Sequence, residues 1–364
     1  MKKNAQKVIG MLLVAALWLG LTGWAWLRPN TNFSVEERRE LETLPEFSWE
    51  TFLDGSFMPD FESYTLDQFP LRNGFRTLKA LVQYRLLNQI DNNGIYIADG
   101  SAAKLEYPLN EASVDHALEV FRKINDRYLG ESQVYVAVVP DKSYYLAQDK
   151  GYPVMDYEAL FQQVEQGMPY ADYVNLTDLL TAGDYYRTDT HWRQEALIPV
   201  ANRLCDAMGT ALPEGLTANK QEQPFYGVYY GQAALPMDAD ELYTLEGGWL
   251  DGCSVYNYET GKTTGVYDLS KLESEDLYEV FLSGSVSLLR LDNPNANTNR
   301  ELIVFRDSFG SSLVPLLSRG YKTVTVVDIR YMSSAMLSRF IDFHGQDVLF
   351  LYSTLVLNSS NQLE

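Results

Sequence analysis

The sequence predicts an α/β domain with a mostly parallel sheet, tied to a membrane by one N-terminal helix. Short buried runs alternate with amphipathic helical stretches along most of the chain, which is typical of parallel sheets covered by helices. Short aromatic pieces separated by glycines break this pattern once, at about 213–279, and predict a β-rich insertion of hairpins. A run of about 20 uncharged residues at 8–27 predicts the membrane helix.

Residues 1–28 have the features of a signal anchor. Three lysines precede the apolar run, and their charge favours a cytoplasmic N-terminus. Trp24 and Trp26 stand where interfacial anchors are found, and this flank favours an uncleaved anchor over a cleaved signal peptide. With either outcome, everything after Arg28 is expected outside the cytoplasm. An uncleaved anchor makes the chain a single-pass cell-membrane protein.

The remaining chain predicts an arm with a lead-in helix at 29–90 and a globular domain at 91–364. The lead-in helix is expected at 71–87, because its apolar residues recur at helical spacing. Strands of the domain are expected at 95–97, 134–139, 173–176, 302–305, 323–327 and 348–352. Helices are expected at 112–128, 157–165, 192–208, 309–318 and 333–340.

Composition excludes some functions. The 49 acidic and 29 basic residues give a net charge of -20, which repels nucleic acid, so nucleic-acid binding is excluded. The three histidines lie too far apart in sequence for a local ligand motif, so no metal or other cofactor is expected. Cys205 and Cys253 form one disulfide or remain free. The 25 tyrosines suit either sugar stacking or a half-wet core.

Ser308 is a candidate nucleophile. It follows the apolar run 302–305 and precedes the helical stretch 309–318, so it is expected on a strand-to-helix turn. In open α/β sheets this edge binds ligands, and the N–H groups at a helix start can hold an oxyanion. The alternative is that Asp307 or Ser308 only caps the helix.

Asp189 and His191 are the candidate partners of that serine. An aspartate two residues before a histidine can place its carboxylate on the imidazole and leave the other ring nitrogen free as a base. Serine nucleophiles need such an orienter and base. The alternative is a capping aspartate beside a half-buried histidine.

The motifs Asp189-Thr-His-Trp192 and Asp307-Ser-Phe309 together resemble the DHHW family and the related alginate O-acetyltransferases of AlgJ and AlgX type, within the SGNH-hydrolase superfamily. The resemblance covers most of the chain from about residue 33, and one departure is Thr190 in place of the first histidine of the family name. It implies an SGNH-like three-layer α/β/α domain with permuted motif order, and a triad of Ser308, His191 and Asp189.

The sequence also contains candidates for oxyanion donors and for substrate binding. Relatives often have Gly-Asn where this chain has Gly284-Ser285, and an asparagine amide there could donate to an oxyanion. The oxyanion donors expected here are the N–H of Ser308 first, then Gly284, with Ser285 as a further candidate. Candidates for substrate binding, for most of which structural ion pairs are the alternative, are Arg187, Trp192, Arg306, Asp328, Arg330 and Tyr331.

The resemblance implies acetyl transfer to a cell-envelope or exported polysaccharide through an acyl-serine, with no cofactor. It also implies a partner, a membrane-bound O-acyltransferase that brings acyl groups across the bilayer. Two alternatives are a carbohydrate acetylesterase and a non-catalytic glycan-binding or scaffold component of a polysaccharide-modification complex.

Overall fold

The computed structural model describes residues 2–212 and 214–364, so Met1 and Pro213, the first residue of the expected insertion, lie outside the described part. The chain divides into two compact units. The first ends at Asn92 and includes Ala234–Pro236, and the second comprises Asn93–Ala233 and Met237–Glu364.

The first unit consists of helices and one short hairpin. Its elements are α1 (Lys2–Leu27), β1 (Phe33–Ser34), β2 (Arg39–Glu40), α2 (Trp49–Leu53), α3 (Phe57–Asp67) and α4 (Arg72–Leu81). Within α1, Ala5–Leu27 is the one stretch of the described chain long and apolar enough to cross a membrane. A π-helical turn, Val82–Leu86, continues α4, which confirms the expected lead-in helix.

An ionic cluster holds the first unit together around Asp67. Its carboxylate accepts hydrogen bonds from the Arg39 guanidinium at 2.8 and 2.5 Å and from the Glu42 N–H at 3.0 Å. Arg72 lies 3.2 Å from the same group. The Arg39 hydrogen bonds hold the pKa of Asp67 below its usual value, so the cluster stabilises the unit with Asp67 ionised.

The second unit contains the remaining elements. They are β3 (Ile95–Ala98), β4 (Ser101–Lys104), α5 (Glu111–Tyr128), β5 (Val134–Val139), α6 (Lys142–Lys150), α7 (Tyr157–Gly167), β6 (Asp172–Tyr173), α8 (Ile198–Ala207), β7 (Thr217–Lys220), α9 (Val228–Ala233), β8 (Tyr243–Glu246), β9 (Ser254–Asn257), β10 (Lys262–Thr264), β11 (Leu288–Asp292), β12 (Glu301–Arg306), α10 (Gly310–Leu317), β13 (Thr323–Val327), β14 (Asp347–Ser353) and α11 (Thr354–Asn358).

The main sheet has eight strands in the order β10-β9-β11-β13-β12-β14-β5-β6. The five strands from β13 to β6 are parallel, and β11, β9 and β10 add an antiparallel edge. Alternate residues of β5 enter different cores: Tyr135, Ala137 and Val139 pack with α8 and α10, whereas Val134, Val136 and Val138 pack with α5 and α7. Helices therefore cover both faces, and the predicted three-layer, mostly parallel fold is confirmed.

Two expectations about the first half of the domain need correction. The run at 95–97 is a strand, but β3 pairs with β4 in a separate hairpin rather than entering the main sheet. The helix expected at 192–208 begins only at Ile198. Trp192 instead forms an isolated β-bridge with Tyr185, because its buried indole is held against α10.

Two further corrections concern the second half. Of the hairpins expected at 213–279, β7 and β8 do form a separate pair, but β9 and β10 extend the main sheet through β11. These strands supply an antiparallel edge to the core rather than a detached insertion. The stretch at 333–340 holds a 3₁₀ helix, Ser334–Arg339, rather than an α-helix.

Candidate active site

Ser308 lies on the turn between β12 and α10, at the carboxyl edge of the sheet. The neighbouring Asp307 orders this turn, but it does not cap α10, whose N-cap residue is Phe309 without a side-chain capping bond. One of its carboxylate oxygens accepts the N–H of Phe309 at 3.0 Å, and the other accepts the N–H of Ser353, at the end of β14, at 2.7 Å. These bonds fix the turn between two parallel strands and leave the Ser308 hydroxyl for another partner.

That partner is His191. Its Nε2 lies 2.7 Å from Ser308 Oγ, and its Nδ1 lies 2.5 Å from Asp189 Oδ1. The same carboxylate oxygen accepts the backbone N–H of His191 at 3.0 Å. An ionised carboxylate only accepts, so these contacts assign the proton to Nδ1 and leave Nε2 free to take the serine hydrogen. The three side chains thus form one continuous hydrogen-bonded chain.

Asp189 is fully buried and held from a second side by the chain around α9. The N–H of Val228 donates to Asp189 Oδ2 at 2.8 Å. Gly227, one residue earlier, packs so closely that a Cβ there would lie 2.1 Å from Asp189 Cβ. A buried carboxylate needs such donors to stay ionised, so the α9 segment supports the orientation and the charge of Asp189.

Tyr278 forms one wall of the site. Its ring stacks on the His191 imidazole with centroids 3.8 Å apart and planes 8° apart. Its hydroxyl donates to the Ser308 carbonyl at 3.3 Å and lies 2.9 Å from Ser312 Oγ. Burial raises the pKa of Tyr278 well above its usual value, so the hydroxyl stays neutral. The residue fixes the imidazole plane and the turn of Ser308 together.

Tyr278, Ser312 and the N–H of Val228 were not predicted from the sequence. Tyr278 precedes Ser308 by 30 residues and Val228 follows Asp189 by 39. No local motif marks either segment, because their contacts with the site arise only on folding. Gly227, within an aromatic-rich stretch, was the one local signal that the backbone there could approach another segment closely.

The expected oxyanion donors differ in availability. In the described chain, the N–H of Ser308 makes no hydrogen bond within the protein and can donate to a ligand oxygen. The N–H of Gly284 donates to the Phe281 carbonyl at 3.2 Å, within a turn where Leu282, Ser283 and Gly284 all have positive φ. Gly284 is therefore engaged as a donor, which corrects its expected role. Ser285 is exposed and makes no described hydrogen bond to Ser308 or His191.

Some of the substrate-binding candidates are buried and others are exposed. Trp192, Arg306 and Asp328 are fully buried and cannot contact a substrate in this structure, so expecting substrate contacts from them was wrong. The Trp192 indole donates to the Phe309 carbonyl at 3.1 Å and to Ser312 Oγ at 3.0 Å, which ties the histidine loop to α10.

Asp328 instead balances two arginines. It lies 3.6 Å from the Arg306 guanidinium and accepts from Arg330 at 2.9 and 2.6 Å. Burial lowers the pKa of Arg306, and Asp328 opposes that effect.

Tyr331 is 54% exposed. Arg187 is half-exposed and lines a pocket of about 430 Å³ beside the loop that carries Asp189. Arg187 and Tyr331 remain open to a ligand.

Both cysteines are free and buried. Burial raises the pKa of Cys253 to about 11 and also raises that of Cys205, so neither thiol supplies a ready nucleophile. In residues 2–212 and 214–364, no group of three His, Cys, Asp or Glu side chains is placed to hold a metal ion.

The structure resembles solved proteins of low sequence identity. A DHHW family protein from Eubacterium siraeum matches with a TM-score of 0.61 and 19% identity, over 76% of this chain and 98% of that chain. PatB1 of Bacillus cereus with a sulfonyl adduct matches with a TM-score of 0.57 and 16% identity, over 72% of this chain and 95% of that one. Another PatB1 structure gives a TM-score of 0.56, with 16% identity over 72% of this chain and 96% of that one.

No family model matches the sequence, and no curated protein does. The likeness therefore lies in the fold, which this chain shares with a DHHW family protein over nearly the whole of that protein. This agrees with the fold class expected from the Asp189-Thr-His-Trp192 and Asp307-Ser-Phe309 motifs.

Proposed function

We propose that the protein is a serine-dependent O-acetyltransferase that acts on a cell-envelope or exported polysaccharide. The observation that carries the proposal is the hydrogen-bonded chain from Asp189 through His191 to Ser308, with separations of 2.5 and 2.7 Å. Serine-dependent acyl transfer needs a nucleophile, a base and an orienter that act as one unit, and this arrangement supports the assignment of those roles to the three residues.

In the first step, Ser308 Oγ attacks the carbonyl carbon of an acyl donor while its proton passes to His191 Nε2. The Ser308 N–H stabilises the oxyanion, and Asp189 stabilises the imidazolium that forms. His191 then returns the proton to the leaving group, the donor bond breaks, and the acyl group remains as an ester on Ser308.

In the second step, a sugar hydroxyl gives its proton to His191 Nε2 and attacks the acyl-serine. The new ester forms on the sugar, and the proton returns to Ser308 Oγ. If water attacks instead, the product is free acid and the enzyme is an esterase. The choice depends on which acceptor the site admits, because the triad chemistry is the same.

Acetyl as the acyl group and polysaccharide as the acceptor follow from the resemblance of the two sequence motifs to the alginate O-acetyltransferases. Exposed tyrosines support a sugar acceptor. Tyr226 is 43% exposed and stands 4.6 Å from the Tyr230 ring, beside the loop of Thr188, whose carbonyl accepts the N–H of Tyr230. Tyr256 is 38% exposed. Such rings provide flat apolar faces and hydroxyl groups for sugars.

The proposal places the protein at the cell membrane. Ala5–Leu27 would act as an uncleaved anchor with the N-terminus in the cytoplasm, 29–90 as the arm, and 91–364 as the extracytoplasmic catalytic part. A membrane-bound O-acyltransferase is the proposed partner that supplies acyl groups. A reporter that is active only in the cytoplasm, fused after Glu364, should be silent; an active fusion would contradict this topology.

The decisive test of the function uses the purified full chain in detergent with an acetyl ester donor and a panel of envelope oligosaccharides. Mass spectrometry of the sugars should find added acetyl groups with the wild type and none with Ser308→Ala. Acetate release without acetylated sugar would instead assign an esterase. Equal acetylation by wild type and Ser308→Ala would exclude the proposed role of the serine.

A further inference from the structure

Lys142 is a buried cation that the triad chemistry does not use. It follows β5 by three residues, at the same edge of the sheet as Ser308, and only 2% of it is exposed. Its Nζ donates to the carbonyl of Ala102 at 2.5 Å and to that of Tyr186 at 2.6 Å, and the Arg187 carbonyl lies at 3.4 Å. Three carbonyls match the three N–H donors of an ammonium group, whereas a neutral amine has two.

Two of these carbonyls belong to the chain that leads directly into Asp189. The Arg187 carbonyl also accepts the N–H of Ala102 at 2.7 Å. Asp240 holds the backbone of the two following residues, because its carboxylate accepts the N–H groups of Arg187 and Thr188, each at 2.8 Å. The ammonium therefore anchors the backbone at 186–187, and the turn that places Asp189 on His191 starts from that anchor.

The ammonium is also a counter-charge. The charged groups that face it are the carboxylates of Asp141, Asp189 and Asp240, all of which favour its protonated form. From α9, the ring of Tyr229 lies 5.5 Å from Nζ, and β4 contributes the Ala102 carbonyl. Asp189 must stay ionised in a dry environment to stabilise the imidazolium, and a nearby buried cation favours that state.

We propose that Lys142 is a positioning residue of the triad: its ammonium anchors the loop ahead of Asp189 and stabilises the Asp189 carboxylate, so the reactivity of Ser308 depends on that ammonium. This inference rests on the proposed function, because it concerns the same nucleophile. The residue touches neither substrate nor Ser308 and acts through Asp189.

The proposal has a specific pH signature. Burial lowers the pKa of Lys142 to about 7, against the opposing effect of Asp189, Asp240 and Asp141. As the pH rises through that value, Nζ loses one of its three N–H donors together with its charge. The reactivity of Ser308 should therefore fall on the alkaline side, although a histidine base alone would keep it high there.

The test measures the rate at which phenylmethanesulfonyl fluoride modifies Ser308 in the full chain, from about pH 5 to about pH 10, corrected for hydrolysis of the reagent. Lys142→Met removes the ammonium. Lys150→Met is the matched control, because it removes an ammonium from the other end of α6, where Lys150 is exposed and paired with Asp99.

Lys142→Met is expected to react about ten- to a hundredfold more slowly at its optimum and to lack the alkaline decline. Lys150→Met is expected to keep the wild-type rate and profile. A Lys142→Met profile identical to the wild type would overturn the proposal. So would a wild-type rate that stays flat to about pH 10, and this result needs no variant.

Lys142→Arg is the second variant, for the case in which Lys142→Met does not fold. An arginine stays charged throughout this pH range, so the alkaline decline should disappear, and its persistence would overturn the role of Lys142. Failure of the proposed function is distinguishable. It would appear as no modification of Ser308 in the wild type at any pH, whereas a labelled serine with an unchanged Lys142→Met profile would remove only the inference about Lys142.

Discussion

Replacing Gly227 by alanine tests whether Asp189 must be held from the α9 side. The added Cβ would lie 2.1 Å from Asp189 Cβ and 2.4 Å from its Cα, which is backbone and cannot rotate away. Carbon atoms in contact need about 3.5 Å, so the two segments must separate by roughly 1.4 Å. That shift would also lengthen the hydrogen bond from the Val228 N–H to Asp189 Oδ2, now 2.8 Å.

A displacement of about 1 Å at a catalytic group costs about a hundredfold in rate, or roughly 2.7 kcal/mol. Gly227→Ala is therefore expected to lower kcat/KM for para-nitrophenyl acetate by about that factor. The rate of Ser308 sulfonylation should fall in parallel, because both reactions need the Asp189 carboxylate bonded to the His191 imidazole. Circular dichroism and thermal unfolding would establish that the variant is folded when these rates are measured.

Gly183→Ala is the matched control. The nearest atom to its added Cβ is Thr181 Oγ1 at 3.6 Å, an ordinary contact, so it should keep the wild-type rate. A folded Gly227→Ala variant that reacts within about threefold of the wild type would refute the reasoning, because the close approach to Asp189 would then have no bearing on the nucleophile.

Three other predictions concern stability and the walls of the site. Asp307→Ala removes two hydrogen bonds to a buried carboxylate and should lower the free energy of unfolding by about 3 kcal/mol, measured with urea, while an unchanged midpoint would contradict its role in ordering the turn. Tyr278→Phe keeps the ring but loses a hydroxyl bond worth about 1 kcal/mol, so Ser308 labelling should slow about fivefold, and a larger loss than in Tyr278→Leu would contradict the stacking role. Because Arg39 lowers the pKa of Asp67, that carboxylate stabilises the first unit above its usual pKa of about 4 and loses this contribution as the pH falls. The hydrogen-exchange protection factors of the first unit, which correct for the slower intrinsic exchange in acid, should therefore fall on acidification in the wild type more than in Asp67→Asn.

Several elements could be predicted because their signals are local. The runs that form β5 and β13 are continuous apolar stretches, and both are observed at 134–139 and 323–327 as expected. Strands buried on both faces need such runs, which few other structures produce. The order of the strands was not predictable in this way. The strand at Ile95 has the same local pattern, yet it forms a hairpin with β4, since pairing depends on contacts distant in sequence.

The site residues show the same contrast between local sequence signals and contacts that form only on folding. Asp189 and His191 are two residues apart, so their contact could be anticipated from a tight turn, and Ser308 could be found from the strand-to-helix pattern. The contacts of Tyr278 and Lys142 could not be anticipated, because a tyrosine that stacks on a histidine and a lysine that binds backbone carbonyls leave no local pattern in the sequence.

Burial was the other obstacle to prediction from the sequence. Trp192, Arg306 and Asp328 look like surface groups near the motifs, but charge compensation and indole hydrogen bonding allow all three to be enclosed. An arginine that stands beside a catalytic motif thus gives no indication, by itself, of whether it faces a ligand or a neighbouring aspartate.

The most direct test of the account is to look for the acyl-enzyme. The full chain would be incubated with para-nitrophenyl acetate and quenched in acid, and its intact mass and peptides would be measured. The account predicts one acetyl group on the wild type, located on Ser308 and absent from Ser308→Ala. Acetyl at another residue, or equal acetylation of Ser308→Ala, would contradict it.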